Sequence, residues 1–367
     1  MLKLIRWIKS NLVLFIAFCL AVITSFIIPP DGQYVGYFDF KTLACLFCTL
    51  AVICALKNIR FFTVLARAVV HATGNLRSAV FALVFITFFG SMLIANDMAL
   101  ITFLPLGYYV LSSTNKKGHM AFVFVMQNIA ANLGGMLTPF GNPQNLYLYS
   151  HFEISTGEFV AIMLPPFLAA TVLIVVCCSF VKPEPIDLSE KEDHRLPPTR
   201  TVLYLVLFAI SISVVFHAVP YLLGTVIVLL SLLVLDRKAL LLVDYGLLLT
   251  FTCFFVFAGN LARVELVHTL LSSLLEKSTL LISILSCQVI SNVPSAILLS
   301  RFTADYPSLL LGVNIGGTGT LIASLASLIT FREYTLREPY KTGYYLKTFT
   351  VLNILFLIVL TLVALIF

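Results

Sequence analysis

Nine stretches of this chain run on without a charged side chain: residues 11–30, 42–56, 120–150, 159–181, 201–235, 245–262, 278–300, 306–331 and 348–367. About 20 apolar residues make a helix that crosses the hydrocarbon of a bilayer, and 201–235 leaves room for two, divided near Pro220. Residues 78–115 carry a single charge, Asp97. Across the 367 residues 60% are hydrophobic and 11% charged, against roughly one quarter charged in soluble domains. The chain reads as an all-α polytopic membrane protein.

The opening MLKLIRWIKS and the run after it have the outline of a signal peptide. The apolar stretch is too long for an h-region and lacks a small-residue cleavage site, so it reads as a first transmembrane helix. The net charge of +6 needs no acidic partner, because Lys and Arg concentrate at the cytoplasmic face of membrane proteins. These basic residues are scattered over short loops, which argues against nucleic acid. All eight cysteines fall within apolar runs. Cys45 and Cys48 form a CxxC with no His or carboxylate nearby, and packing explains them.

Lys3, Arg6 and Lys9 place the N-terminus in the cytoplasm, and Lys57, Arg60, Arg67 and Arg77 return to that face two spans later. The apolar segments 78–94 and 98–111 then lie between Arg77 and the pair Lys116 and Lys117. Cytoplasmic charge at both ends leaves either two full spans or a re-entrant hairpin with Ala95-Asn96-Asp97 at its tip. The second half of the chain decides for the hairpin. Residues 132–145, NLGGMLTPFGNPQN, align without gaps on 314–327, NIGGTGTLIASLAS; Asn132, Gly134, Gly135 and Thr138 fall on Asn314, Gly316, Gly317 and Thr320. Each motif is preceded by a polar tip (94–106 and 290–302) and by an amphipathic, weakly charged segment (57–75 and 261–277) expected to lie flat at an interface. Such repeated order marks an internally duplicated transporter. Counted from a cytoplasmic N-terminus, one hairpin opens inward and the other outward, so the copies are inverted.

The expected organisation is a first half, 1–181, with a hairpin at about 78–112 and a broken helix at about 119–150. A cytoplasmic linker of proline and mixed charge, 182–200, leads to a second half, 201–367, with a hairpin at about 278–304 and a broken helix at about 307–331. Nine full spans are expected beside the hairpins, near 11–28, 38–56, 119–150, 158–181, 200–218, 219–235, 239–260, 307–331 and 345–367.

Residues 120–150 hold three glycines, two prolines, four asparagines and two glutamines. Non-helical backbone at membrane depth survives only against protein or a watery cavity. Pro139 and Pro143 each remove an amide donor, and the break exposes a helix N-terminus with roughly half a positive charge. Asn142, Gln144 and Asn145 add neutral donors and acceptors. Together these are parts of a site for a small anion and a coupling cation; the plain alternative is a Pro-kinked helix whose amides are satisfied by its neighbours. The tip residues Asn96, Asp97, Ser291 and Asn292 can cap the hairpin turns and also serve as ligands. Asp97 is the sharpest case, since an ionised aspartate at mid-membrane costs roughly 2.5–3.5 kcal/mol on insertion scales. The substrate ligands expected are Asn96, Asn142, Asn145, Ser291, Asn292 and Thr320; the coupling cation is assigned to Asp97, Gly141, Gly317 and Ser324. Arg301 is expected to snorkel to the outer interface and His217 to be packed or interfacial.

The paired AND and SN tips with GNPQN resemble the citrate-transporter-like ion transporter superfamily, which includes arsenite-efflux permeases, sodium/proton antiporters and divalent anion/sodium symporters. The resemblance covers residues 38 to 367. It implies an elevator mechanism, in which hairpins and broken helices move as a unit against a scaffold, often within a homodimer. Dicarboxylate symporters of the superfamily carry Ser-Asn-Thr at both tips and Gly-Thr-Pro-Pro-Asn at the first break. Here Asn96 and Asn292 are kept but several hydroxyls are not; Gly141, Pro143 and Asn145 are kept, while Asn142 and Gln144 differ. The second break has no proline. The tips look closer to the arsenite-efflux branch.

The expected function is secondary transport of a small anion or oxyanion, carboxylate or arsenite-like, coupled to sodium or protons. A sodium/proton antiporter using Asp97 is the alternative. An intramembrane enzyme is disfavoured by the lack of paired core aspartates, HExxH or a GxSG-like nucleophile. No GxxxxGK[ST] occurs, although a separate ATPase subunit is left open. The expected setting is a prokaryotic inner membrane; no resident cofactor is expected, with sodium only as a coupling ion.

Overall fold

The computed structural model describes residues 12–187 and 196–366. Lys3, Arg6 and Lys9, and residues 188–195 of the expected linker, lie outside the described residues. Apart from an isolated bridge between Asn75 and Pro185, the regular structure described is helical.

The first part of the chain comprises α1 (Leu12–Ile27), α2 (Phe40–Asn58), α3 (Phe61–His71), α4 (Leu76–Ile94), α5 (Asn96–Ser113), α6 (Met120–Gly134), α7 (Pro143–His151) and α8 (Thr156–Ser179). Then follow α9 (Pro198–Val215), α10 (Tyr221–Leu235), α11 (Arg237–Leu241), α12 (Tyr245–Ala262), α13 (Glu265–Lys277), α14 (Thr279–Ile290), α15 (Asn292–Leu299), α16 (Tyr306–Ile315), α17 (Leu325–Arg337) and α18 (Thr342–Ile366). Side-chain caps start many of them. Asn75 and Ser78 form a capping box at α4, and Ser155, Asp244 and Asp305 accept backbone amides at α8, α12 and α16. Pro220 opens α10 and separates it from α9, as the sequence expected.

Among the described residues seven helices are long and apolar enough to cross a membrane: Phe40–Asn58, Leu76–Ile94, Lys117–Leu137, Thr156–Ser179, Pro198–Val215, Tyr245–Ala262 and Pro339–Ile366. The nine expected spans differ from these for a local reason. Both broken helices divide into limbs, and α1 and α10 are shorter, of 16 and 15 residues. One hairpin limb, α4, has 19 residues and is about 28 Å long at 1.5 Å per residue. Large apolar side chains point outward along these helices; Phe26 and Val234 are each 84% exposed. A soluble monomer does not display such a surface, and it suits lipid. The protein is an integral membrane protein.

Both hairpins turn on one residue. Ala95 joins α4 to α5 at φ 60°, ψ 149°, and Ser291 joins α14 to α15 at φ 75°, ψ 159°. That region is normally glycine's, and a side chain there costs of the order of 1–3 kcal/mol. The two breaks also share a register. Asn142 and Ser324, matched in the gapless alignment, are both extended N-caps, at φ −138° and −146°, of α7 and α17. Gly134 lets α6 approach α4 closely: a Cβ there would lie 2.2 Å from the Phe88 carbonyl oxygen. The base of the first hairpin is fastened to the connection after α8. Lys116 pairs with Glu184, Leu76 N donates to Glu184 O at 2.8 Å, and Arg77 Nε donates to Val181 O at 2.6 Å. The Lys116 hydrogen bond holds the Glu184 carboxyl below its usual value.

Candidate functional site

Breaking a helix releases carbonyls that need donors. At the first break Asn145 Nδ2 supplies them, donating to Gly135 O and Met136 O at 3.2 Å and to Thr138 O at 3.4 Å. At the second, Gln288 of α14 does the same, donating to Gly316 O at 2.8 Å and Thr318 O at 3.1 Å. Buried asparagines then tie the breaks to each other. Asn132 Oδ1 accepts from Asn96 Nδ2 at 3.0 Å and from Ser324 Oγ at 2.8 Å. Asn314, its match in the repeat, donates to Asn145 Oδ1 at 2.6 Å and accepts from Asn142 Nδ2 at 3.4 Å. Asn128 adds a link from α6 to Ser327 of α17 at 3.2 Å.

The tips are seated on this network by matching contacts. Asn96 Oδ1 accepts from Asp97 N, and Asn292 Oδ1 from Val293 N, both at 2.9 Å. Asn292 N donates to Ala323 O at 2.9 Å, which pins the second tip to the second break. Between tips, breaks, α1 and α12 lies a cavity of about 350 Å³. Its polar wall includes Asn96, Asp97, Gln144, Ser291, Asn292 and Ser324; α1 and α12 contribute mostly apolar side chains such as Ile16 and Phe254. Among the described residues no Lys, Arg or His lines it. Two buried oxygens at its wall, Asp97 Oδ1 and Gln144 Oε1, have no hydrogen-bond partner. A second cavity of about 70 Å³ adjoins it, lined by Asp97, Asn142 and Asp244 among others.

A helical membrane protein with polar breaks beside a cavity has the parts of a transporter, and the comparisons with known proteins agree. Residues 1–306 match the model of the citrate transporter family (CitMHS). The chain belongs to the citrate transporter family. It is 31% identical over 333 residues to an uncharacterized transporter of Methanocaldococcus jannaschii, MJ0456, covering 90% of each chain. It is 32% identical over 279 residues to the inner membrane protein YbiR of Escherichia coli, covering 74% of each. The silicon efflux transporter LSI3 of Oryza sativa subsp. japonica is 29% identical over 160 residues, 42% of this chain and 32% of that one. Membership makes the protein a transporter of a small molecule or ion, and not an enzyme.

In this family member five residues singled out from sequence, Asn96, Asp97, Ser291, Asn292 and Ser324, meet at the larger cavity, and Asn142 lines the smaller one. Four others are placed differently. Asn145 is wholly buried and its amide is occupied by the break and by Asn314. Gly141 packs at the first break, where a Cβ would lie 2.4 Å from Gly135 O. Gly317 sits behind Asn292, whose Nδ2 would be 3.1 Å from a Cβ there. Thr320 is exposed and bonded to Gln288, away from both cavity walls. Gly319, at φ 113°, turns the chain just before it, a conformation only glycine adopts readily. Arg301 does not simply snorkel: it donates to Tyr37 O at 2.7 Å, and its Nε is buried without a partner. His217 stacks on Tyr149 with centroids 5.4 Å apart. Sequence reasoning passed over Gln288 and Asp244, and counted Gln144 among the amides of the break without naming it a ligand.

Proposed function

We propose that the protein is a secondary active transporter of a small oxyacid or oxyanion, carried in a hydroxyl-bearing form through the larger cavity. One observation carries this reading. The buried oxygens without partners at the wall, Asp97 Oδ1 and Gln144 Oε1, are acceptors, and among the described residues no basic side chain accompanies them. A ligand that satisfies them brings O–H donors or a bound cation. A multiply charged carboxylate would find only the helix N-termini of α7 and α17 as positive partners, at a desolvation cost of several kcal/mol. A hydroxylated solute of the arsenous or silicic acid kind finds amides, hydroxyls and acceptors. The name of the rice relative agrees with this class, whereas the family name makes citrate the rival substrate.

Coupling is to sodium or protons, with Asp97 as the carrier. The mechanism is an elevator built on two inverted halves, 1–181 and 201–367, in which both re-entrant hairpins and both broken helices move together. The support is their shared hydrogen-bond network and the matched geometry of tips and caps. Asn96, Ser291 and Asn292 hold the solute, and Ser324 completes the polar surroundings. An N-terminus in the cytoplasm, a prokaryotic inner membrane and a homodimer follow from loop charge and the superfamily resemblance. The second reading is a sodium/proton antiporter, favoured by the unpartnered Asp97 oxygen.

The test is flux into liposomes holding purified protein and an internal pH dye. A sodium or proton gradient is applied with arsenite, silicate, acetate, succinate and citrate in turn. Transport of the hydroxylated neutral species, with little citrate flux, is expected. Citrate-driven signals without arsenite or silicate flux would overturn the substrate class, and a sodium-driven pH change with no solute would favour the antiporter.

A further inference from the structure

A small solute needs only the polar end of the larger cavity, and most of its wall is apolar. Leu20 of α1, Leu247 and Phe254 of α12, and Val293 and Leu298 of α15 line it. Three other lining residues, Ile16 of α1, Val289 of α14 and Ile322 of the second break, are 47%, 72% and 55% exposed and mark its mouth. The mouth continues an outward row on α14, where Leu281, Leu285 and Val289 are spaced four residues apart and all exposed. In an integral membrane protein such a row faces hydrocarbon. Water in so apolar a space finds few polar partners to hold it, whereas a lipid chain gives the wall the dispersion contacts that a void forfeits. Pockets for small organic molecules share this make-up: roughly 300–1,000 Å³, apolar walls and a few placed polar groups. The cavity, at about 350 Å³, falls in that range.

We propose that the larger cavity is a binding site, open to the bilayer, for one single-chain amphiphile with an uncharged hydroxyl head, of the long-chain alcohol or monoacylglycerol kind. The chain lies between α1, α12 and the second tip, and the polar end selects the head. Gln144 is 1% exposed, and its Oε1 is buried with no partner. The other half of this amide is committed, since Gln144 Nε2 points to Asn314 Oδ1 at 3.5 Å. Asn314 holds its oxygen on that side because its Nδ2 donates to Leu310 O at 2.8 Å and to Asn145 Oδ1 at 2.6 Å. Gln144 Oε1 is therefore left to accept from a hydroxyl. A carboxylate head would meet Asp97, and among the described residues no Lys, Arg or His lines the cavity to receive it. A chain leaving the bilayer gains little hydrophobic energy here, because lipid tails are as apolar as leucine. The preference then lies in the head, whose hydrogen bonds are strong at low dielectric. This inference goes beyond the transport reading and holds whichever solute is carried.

The experiment places the full chain in phosphatidylcholine liposomes with dodecanol carrying a diazirine at its chain end, and maps the photolabel by mass spectrometry. Saturable labelling at Phe254, which is buried and lines the cavity, is expected. Unlabelled dodecanol should compete with it; dodecane, and dodecanoate in alkaline buffer, should not. Val289→Trp sets a large ring at the mouth, on an exposed position, and should lower this labelling at least ~10-fold. Val226→Trp, on the exposed face of α10, should leave it unchanged. Gln144→Met keeps the length of the side chain and removes its acceptor, and should weaken dodecanol about 5-fold, toward dodecane. Labelling that never saturates and spreads evenly over the exposed faces of α9 and α10 is ordinary lipid contact and overturns the proposal. Absence of label at Phe254 overturns it too, and a Val289→Cys cross-link between subunits would then name a second copy of the chain as the occupant. Equal competition by dodecanol, dodecane and dodecanoate would refute the selection of the head by Gln144.

Discussion

Replacing Gly134 by alanine tests how the first hairpin is held against the broken helix. Gly134 ends α6, and helix propensity alone would favour alanine by about 1 kcal/mol. The structure opposes this. A Cβ at Gly134 would lie 2.2 Å from Phe88 O, 2.7 Å from Ser91 Oγ and 2.8 Å from Phe88 C. Ordinary carbon–oxygen contacts begin near 3.3 Å, so α4 and α6 must part by about 1 Å. Overpacking of that kind costs roughly 1–3 kcal/mol, and here the obstacle is backbone that cannot swing aside. The net expectation is a loss of roughly 1–2 kcal/mol, or a few degrees in melting temperature. Gly118→Ala is the control, since nothing lies within 4 Å of its added Cβ, and it should be neutral or slightly stabilising. Unfolding can be followed with a thiol-reactive dye, because Cys45, Cys48, Cys54, Cys177, Cys178 and Cys287 are buried. A Gly134→Ala protein melting with or above the Gly118→Ala protein would refute the close crossing of α4 and α6.

The hydrogen-bond hub gives a second expectation. Asn132→Ala leaves the Asn96 amide and the Ser324 hydroxyl without their acceptor and should cost about 2–4 kcal/mol, more than Asn128→Ala, in the same melting assay. Gln288→Ala should free Gly316 O and Thr318 O and raise amide hydrogen exchange across 316–324 while leaving 135–142 unchanged. Outside the membrane-spanning helices, Arg263 hydrogen-bonds Asp31 at 2.7 and 3.2 Å and holds its carboxyl below the usual carboxylate range. A lowered folded value means stability that is present at neutral pH and lost as pH falls through it. Asp31→Asn should therefore melt below wild type at neutral pH, with the gap closing in acid; a gap that persists in acid would contradict the pairing.

Much of this architecture can be read from the chain because lipid imposes strict rules. Charge-free runs mark the apolar helices, and the polar residues Asn96 and Asp97 mark the turn between α4 and α5. The gapless match of 132–145 on 314–327 places Asn142 and Ser324 as equivalent caps. The tip asparagines are legible for a similar reason, as amides in otherwise apolar segments. The remaining site residues are less so. Asn145 looks like a ligand until the carbonyls freed by Pro139 and Pro143 are seen to claim its amide. Thr320 aligns with Thr138 but is turned outward by Gly319. Gln288 reaches its carbonyl partners across the hairpin, and no local pattern announces such a clamp. Asp244 has the ordinary look of a helix cap, and only the fold puts it on the wall of the smaller cavity with Asp97.

The most direct measurement is transport by Asn96→Ala and Asn292→Ala in liposomes, beside wild type and with melting temperatures recorded for each. Each asparagine lines the larger cavity from its hairpin tip and is nearly buried, at 3% exposure. Loss of solute flux in both variants, with folding retained, is the expected result. Flux at the wild-type rate in both would contradict a solute path between the two tips.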